Sequence, residues 1–320
     1  MTTFKEKEYM ISTADYDTDF WNMIRGSNSP SDVLGKGMDL STGGYALPTG
    51  TGNQYEKAVK SESIFRNLAT VVKAYKGSGR IFARDNDDLA EWVPEGGEIH
   101  LQNGMDDFTR YSIDMHKLAV FVRLDNDFVY DASFSIKDYM TGRIAKNIAK
   151  AEDAAFVNGD GENMPTGILR PGLGAEVADI VSEITFDDVI RLYFSLDDEY
   201  REKAVWMMND DTALKLRLMK DEKGNHLWNH TNDTILGKPV VISNDMPNEE
   251  SGTMPVIFGD FSYYWIILRS PVTMRTLKEK FVKLDQIGYL ATEFLDAKLI
   301  RREAVKAIQM VSTDPADLNS

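Results

Sequence analysis

Few side chains in this sequence could bind a metal ion. His226 and His230 are four residues apart, a spacing that on one helix face could hold a metal. The residue after His226 is not the glutamate of a zinc-protease pattern, and the surrounding glycine and asparagines favour a loop. The run Asp85–Asp88 lacks the spacing and the closing glutamate of a calcium-binding loop. The sequence therefore predicts no metal site and no bound cofactor.

Patterns of catalytic nucleophiles and phosphate-binding loops are also missing. The chain has no cysteine, which excludes disulfides, thiolate catalysis and zinc–cysteine sites. Two glycine pairs, Gly77/Gly79 and Gly159/Gly161, lack the rest of a phosphate or dinucleotide fingerprint. We therefore expect a protein that is not an enzyme. A metal-dependent α/β enzyme is the alternative that an active, stable monomer would favour.

Composition sets wider limits on fold and partners. A chain of 320 residues holds one large domain or two, and 42% apolar with 27% charged residues is typical of a soluble globular protein. No apolar run approaches the length of a membrane span, and the first residues contain no apolar signal core. The net charge of −15 argues against a large basic face for nucleic acid.

The longest predicted helix runs into a turn rich in Gly, Asp, Asn and Pro. Ser135 can cap its start, and Gly159 follows its end, where a left-handed residue commonly closes a helix. Apolar residues at intervals of three or four predict one buried stripe made of Ile136, Met140, Ile144, Ile148, Ala151 and Ala155. The turn itself is predicted to be structural, through Gly159, Asp160, Gly161, Pro165 and Gly167.

Two segments before this helix are predicted to need a partner. Residues 4–25 suggest a short amphipathic helix, and the seven glycines of residues 26–52 predict an extended arm. From 69 to 124 the pattern is β, with a polar, turn-rich middle at about 85–105, so a long antiparallel hairpin is expected. A lone two-stranded ribbon is marginal in water, and we therefore expect another subunit to cover it.

An α/β region follows the long helix. Thr185 is expected to cap one helix, and Asp210 or Asp211 a second helix that ends near Gly224. Strands are predicted at residues 204–208, 235–242, 256–258, 263–268, 287–294 and 305–311.

Six short motifs share their order and spacing with one known family. They lie at Ser41–Pro48, Ala90–Gly96, Asn158–Leu169, Ala204–Asn209, Leu236–Val240 and Phe258–Phe261. In this respect the chain, from about residue 41 to 310, resembles the major capsid proteins of tailed bacteriophages with the HK97-type fold. The resemblance implies an α+β, HK97-like capsid fold with an extended N-terminal arm, a long β-hairpin extended loop, a peripheral domain with a long spine helix, and an α/β axial domain.

The resemblance also implies a division of the chain. Residues 1–54 would form the helix and arm, 55–125 the strands and extended loop, and 126–184 the peripheral domain, completed by about 265–300. Residues 185–264 and 301–312 would form the axial domain, and 313–320 a frayed tail. Contacts between subunits are expected at Gly43, Gly44, Tyr45, Leu47, Pro48, Arg84, Trp92, Val93, Pro94 and Glu95.

The implied function is structural. Copies would assemble into hexamers and pentamers of an icosahedral virion shell that encloses double-stranded DNA without sequence-specific binding, built in the cytoplasm of a bacterial host. Portal and cement proteins are candidate partners, and scaffolding would come from a separate protein, from a trimmed segment of this chain, or not be needed. No membrane is involved. A nanocompartment shell of the encapsulin kind, filled with protein cargo, is the alternative on the same fold.

Some members of the family join neighbours through a lysine–asparagine isopeptide bond whose lysine lies in the extended loop. Here the sequence from Ile81 to Met115 contains no lysine, and Lys76 and Lys117 lie at the base of the loop. We therefore expect no such crosslink, and contacts between subunits that are non-covalent.

Overall fold

The computed structural model of the chain describes Glu8 and residues 10–26, 32–39, 42–74, 79–84, 108–131, 133–220 and 231–312, together with Gly224, His226, Trp228 and Asn229. The helices are α1 Ala14–Ile24, α2 Asp32–Lys36, α3 Thr49–Glu62, α4 Phe65–Leu68, α5 Asn126–Tyr130, α6 Ile136–Asn158, α7 Phe186–Ser195, α8 Asp198–Arg201 and α9 Asp210–Leu218. The strands are β1 Met38–Asp39, β2 Gly44–Ala46, β3 Thr70–Lys73, β4 Arg80–Arg84, β5 Phe108–Ser112, β6 His116–Asp125, β7 Glu176–Val181, β8 Val205–Met208, β9 Trp228–Asn229, β10 Thr234–Ile235, β11 Lys238–Ile242, β12 Val256–Gly259, β13 Tyr264–Leu268, β14 Thr273–Leu277, β15 Gln286–Leu299 and β16 Val305–Met310.

The first seven-stranded sheet is organised around β15, which has 14 residues. Its order is β1-β2-β14-β15-β13-β3, and β6 also pairs with β15. Leu290 of β15 pairs with Arg275 of β14 and with Phe121 of β6, so β6 takes the opposite edge of β15. This sheet also includes β1, β2, β3 and β6. These strands lie in residues 1–125, which the sequence analysis placed outside the peripheral domain.

The segment before α3 is part of this sheet and its core. Tyr16, Phe20 and Ile24 of α1 are buried in the same apolar cluster as the side chains of α6. Strand β2 pairs with β1 and with β14, and α3 already begins at Thr49. The described part of the predicted arm, residues 32–39 and 42–52, thus packs against its own subunit. Its extension onto a neighbouring subunit stays a prediction.

Helix α6 is the long helix that the sequence predicts. The side chain of Ser135 accepts a hydrogen bond from the backbone N–H of Asp138, as expected of an N-cap residue. The predicted stripe is confirmed in the first part of the helix, where Ile136, Met140, Ile144 and Ile148 are buried.

The stripe is wrong in the last two turns of α6. Ala151 is exposed and Ala155 is only partly buried. Their expected places in the interior are taken by Glu152, Asp153 and Phe156, which are 1%, 5% and 0% exposed. Two ionisable side chains therefore lie where the sequence predicts alanines.

The second seven-stranded sheet has the order β7-β16-β12-β8-β11-β10-β9. Helix α7 begins with the predicted Thr185, whose side chain and that of Asp188 form a reciprocal capping box. Helix α9 is capped by Asn209, whose side chain accepts from the N–H of Thr212, and it ends at Leu218. The expectations of an Asp210 or Asp211 cap and of an end near Gly224 are therefore wrong, because the residue before the two aspartates already serves as the acceptor.

Candidate assembly surfaces

Strands β4 and β5 form a two-stranded sheet separate from both seven-stranded sheets. The base of this ribbon is fixed to the body of the subunit. The hydroxyl of Tyr111 donates to the carbonyl of Ile300 at 2.7 Å, and Lys298 Nζ donates to the carbonyl of Ser112 at 2.6 Å. Farther along, the side chain of Phe82 is 61% exposed. The ribbon thus combines an anchored base with an aromatic side chain that its own subunit leaves uncovered.

The predicted contact residues of the loop tip, Trp92, Val93, Pro94 and Glu95, lie outside the described residues, and so does the acidic run Asp85–Asp88. The backbone of Arg84 is described and pairs with Phe108 at the last pair of the ribbon. A role for these side chains between subunits stays a prediction.

The predicted contact segment Gly43–Pro48 is built into its own subunit. Tyr16 donates from its hydroxyl to the carbonyl of Ala46 at 2.8 Å, and the N–H of Leu47 donates to the carbonyl of Val272 at 3.1 Å. Leu47 is buried, whereas Tyr45 keeps partial exposure. Gly43 has a φ of +63°, and a Cβ on Gly44 would lie 3.1 Å from Thr273 Oγ1. A further contact of this segment with a neighbouring subunit stays a prediction.

The turn after α6 is held by close approaches between backbone atoms. Gly159 has a φ of −61° and a ψ of 144°, which is an extended backbone and not the left-handed conformation that the sequence predicts. A Cβ there would lie 1.9 Å from the carbonyl oxygen of Pro165, and one on Gly167 would lie 2.4 Å from the nitrogen of Gly159. These glycines are needed because two chain segments touch, while Gly161, with a φ of +75°, is needed for its left-handed backbone.

Asp160 organises the tip of this turn. Its Oδ1 accepts hydrogen bonds from the N–H groups of Glu162, Asn163 and Met164 at 2.9, 3.0 and 3.0 Å. These backbone donors hold the pKa of the Asp160 carboxyl well below its usual range. The carboxylate thus stays ionised and keeps the turn closed.

The same turn is tied to the first sheet. The N–H of Thr166 donates to the carbonyl of Ala297 at 3.0 Å, and the hydroxyl of Tyr264 donates to the carbonyl of Thr166 at 2.7 Å. The end of α6 is thereby fixed to β13 and β15, which gives the turn a structural role within the subunit.

A buried ionic cluster joins α4, α6 and β15, and sequence reasoning missed it. Arg66 contacts Glu152 through two hydrogen bonds of 2.6 and 2.9 Å, and its Nη2 lies 3.4 Å from Glu293 Oε1. The hydroxyl of Tyr55 donates to Glu293 Oε2 at 2.7 Å. Burial, opposed by Arg66, raises the pKa of Glu152 to about 7. One guanidinium therefore serves two buried carboxyl groups.

Asp153 holds the start of α4 beside this cluster. Its carboxylate accepts hydrogen bonds from the Ser63 hydroxyl at 2.6 Å and from the N–H groups of Ile64 and Phe65 at 2.8 and 3.2 Å. A sequence signal existed for Glu152. Glu152 lies four residues after Ile148 and four before Phe156, so it continues the buried stripe in phase.

The described residues contain no group of three or more His, Asp or Glu side chains placed to hold a metal ion. Of the two candidate ligands, His226 lies in an irregular segment, where its Nδ1 is 3.2 Å from the carbonyl oxygen of Arg217, and His230 lies outside the described residues. No helix in the described part of the chain combines the length and apolar character of a membrane span.

The described residues thus form two seven-stranded sheets, a long helix held against the first of them, and a ribbon on which Phe82 is exposed. The model of the phage capsid family matches residues 43–310, and the chain belongs to that family. It is therefore a structural subunit of a capsid shell, with the α+β fold of phage capsid proteins, and not an enzyme.

Solved capsid structures show the same fold. The structure described as the capsid of an empty GTA particle computed with C5 symmetry is 27% identical, covers 78% of this chain and 90% of its own, and has a TM-score of 0.65. The capsid of the native GTA particle has the same identity and coverage and a TM-score of 0.60. The structure described as Gordonia phage Cozz, at 12% identity, 78% and 87% coverage and a TM-score of 0.53, supports the fold alone. Comparison with curated proteins gave no match.

Proposed function

We propose that copies of this subunit form hexamers and pentamers that close an icosahedral shell around double-stranded DNA. The observation that supports this most directly is the β4–β5 ribbon, because an isolated two-stranded sheet is marginal in water and Phe82 is 61% exposed on it. A neighbouring copy would supply the missing burial. The similar capsid of the empty GTA particle was computed with C5 symmetry, which is the symmetry of a pentamer.

The contacts between subunits are proposed to be non-covalent. Because the sequence from Ile81 to Met115 contains no lysine, the loop has no amine to form an isopeptide bond. Mature particles should therefore run as a single monomer band on a denaturing gel. A ladder of covalent multimers would contradict this part of the proposal.

The contents of the shell are proposed to be DNA held without sequence-specific contacts. A chain with a net charge of −15 gives DNA few basic surfaces to grip, so packed DNA can slide along an acidic wall. The proposal includes assembly in the bacterial cytoplasm with separate scaffolding, portal and cement proteins.

Negative-stain microscopy of the purified protein, with sizing and nuclease treatment, tests the proposal. Closed shells that protect double-stranded DNA from nuclease support it. Shells filled with protein instead would indicate a nanocompartment. A protein that stays a monomer under all conditions of assembly would overturn it.

The role of the ribbon is tested by Phe82→Asp, with Leu173→Asp as a control, since Leu173 is 56% exposed but lies outside the ribbon. We expect Phe82→Asp to lower particle yield at least about tenfold, because a carboxylate cannot be buried without a partner. Both variants should keep the unfolding temperature of the isolated subunit. Equal particle yields for the two variants would remove the ribbon from the assembly mechanism.

A further inference from the structure

A cleft of about 310 Å³ lies where the turn after α6 meets the second sheet. Its lining comes from the end of α6 and the turn that follows, from strands β7 and β16, and from the loop before β12. The lining residues that matter below are Leu169, Pro171, Val177, Gly252 and Arg302. We name this feature the junction cleft, because it joins two parts of the subunit.

Arg302 supplies a positive charge to the junction cleft. Its Nε donates to the carbonyl of Gly174 at 3.0 Å, which fixes the side chain beside the cleft. No carboxylate of the residues that the structure describes lies within 4.0 Å of its charged nitrogens. Lys306, four residues later, is by contrast paired with Glu176. The guanidinium of Arg302 therefore keeps donors for an anionic group, and a carboxylate matches their geometry.

Apolar side chains form another part of the junction cleft. Leu169, Pro171 and Val177 line it, and Val177 is 40% exposed on the edge strand β7. Burial of such side chains is favourable, since it removes apolar surface from water. A fitting occupant therefore combines a carboxylate with an apolar side chain.

The described chain ends beside this cleft. Ser312 is the last described residue, and a Cβ built on Gly252 would lie 3.7 Å from Ser312 Oγ. Two backbone hydrogen bonds fix this position: the N–H of Met310 donates to the carbonyl of Thr253 at 2.8 Å, and the N–H of Val311 donates to the carbonyl of Val181 at 2.9 Å. Residues 313–320 therefore begin next to a lining residue of the junction cleft.

Residues 313–320 have the composition that the cleft requires. They include Asp314, Asp317 and Leu318 and contain no Lys or Arg. Asp317 comes five residues after Ser312, and an extended chain covers about 17 Å over that distance at about 3.3 Å per residue. Charge, apolar content and reach thus agree with the cleft.

We propose that residues 313–320 lie in the junction cleft of their own subunit. The Asp317 carboxylate pairs with the Arg302 guanidinium, and Leu318 packs against Leu169 and Val177. The attachment at Ser312 gives this segment a high effective concentration at the cleft, which favours it over the same segment of another copy. The polarity of the segment alone predicts a frayed tail, whereas docking gives it a fixed position. The contact does not depend on shell formation, because it lies within one subunit.

Site-directed crosslinking tests the position of the segment, since the chain has no native cysteine. Unassembled Val177→Cys/Leu318→Cys protein is treated at high dilution with a short bismaleimide, and the link is located by peptide mass spectrometry. The matched control is Leu214→Cys/Leu318→Cys, because Leu214 of α9 is 59% exposed and does not line the cleft. We expect the link within one chain to form about tenfold faster in the first protein than in the control.

Two outcomes of the crosslinking would overturn the inference. Equal rates in the two proteins would show that the segment has no fixed position. Links that form only between chains, in a mixture of Val177→Cys and Leu318→Cys proteins, would show that the segment of another copy occupies the cleft. Neither outcome affects the shell proposal, which depends on whether the unmodified protein forms particles.

A nitroxide label on Asn319→Cys gives a second, independent measurement. Its electron spin resonance spectrum should show slow motion, and Asp317→Asn or Arg302→Gln should each convert it to fast motion with unchanged circular dichroism. Asp314→Asn is the matched control and should keep the slow spectrum. The exchange Arg302→Asp/Asp317→Arg should restore slow motion in part, which a purely structural role of Arg302 would not explain. A fast spectrum without any further substitution, or equal spectra for Asp314→Asn and Asp317→Asn, would contradict the proposed pairing.

Discussion

The two halves of α6 are buried by different chemistry. From Ile136 to Ile148 the inward face is aliphatic and packs against α1, α3 and the first sheet. From Glu152 onward the inward face carries two carboxyl groups, which receive the guanidinium of Arg66 and the capping donors of α4. The first half is held by removal of apolar surface from water alone. The second half adds directional contacts, which specify one position for α4, to the apolar packing of Phe156 and Val157.

This difference shows how one helix can both bury apolar surface and fix the position of a neighbouring helix. Aliphatic packing tolerates small shifts, whereas a bidentate arginine–carboxylate pair has one good geometry. Buried ion pairs of this kind often contribute little net stability, because desolvation offsets the attraction. We therefore expect that removing one charged partner lowers the free energy of unfolding strongly, whereas replacing the whole charged cluster by uncharged side chains changes it little.

The largest expected effect comes from removing the single cation. Arg66→Met leaves Glu152 and Glu293 buried without a positive partner, and it should lower the free energy of unfolding by about 3–5 kcal/mol. Chemical denaturation of unassembled subunits measures this. The triple variant Arg66→Met/Glu152→Leu/Glu293→Gln is the control: it keeps an acceptor for the Tyr55 hydroxyl, and its stability should lie close to that of the unmodified protein. A loss below about 1 kcal/mol for Arg66→Met would show that the ionic half is not specially constrained.

The aliphatic half should respond in proportion to lost packing. Ile144 is 2% exposed, and Ile144→Ala should lower the free energy of unfolding by about 3 kcal/mol through lost burial and a residual cavity. The exposed Lys150→Ala on the same helix should change it by less than about 0.5 kcal/mol. Equal losses for the two variants would contradict the assignment of the buried face.

The smallest effect is a pH dependence confined to the ionic half. The pKa of Glu152 is raised from 4.5 to about 7, so its stabilising contribution is complete below pH 4.5 and is lost as pH rises through 7. Between pH 6 and pH 8 the folded subunit should lose about 1 kcal/mol from this group. Glu152→Gln should flatten the pH profile of unfolding in this window. An unchanged profile would show that Glu152 is not the titrating group and would contradict this prediction.

Local signals in the sequence predicted local structure well. Ser135 and Thr185 were identified as caps because a cap depends on residues within one turn. The aliphatic half of α6 followed from spacing alone. Glu152 and Asp153 were missed because their partners, Arg66 and Ser63, are 86 and 90 residues away in the chain. A periodicity argument assigns ionised side chains to solvent unless a distant partner is known.

Composition was a weaker guide than contacts. The glycines of residues 26–52 predicted an arm, but their number did not reveal that Gly43 adopts a positive φ or that Gly44 lies close to Thr273. Gly159 was correctly identified as a structural residue, but its predicted left-handed conformation was wrong. A glycine is needed there because the Pro165 carbonyl occupies the space of a Cβ. The ribbon was predicted from the alternation of its residues, whereas the order of strands around β15 could not be predicted, because sequence spacing does not show which strands pair.

The hydrogen bonds between the Gly159–Gly167 turn and the first sheet have a consequence for shell geometry. A helix of 23 residues is about 34 Å long, and it is fastened along its length by packing and at its end by hydrogen bonds to the sheet. Helix and sheet therefore move as one rigid unit. A curved shell made of such units must obtain its curvature at the contacts between subunits. The flexibility of those contacts, and not bending within the subunit, then sets the radius of the shell.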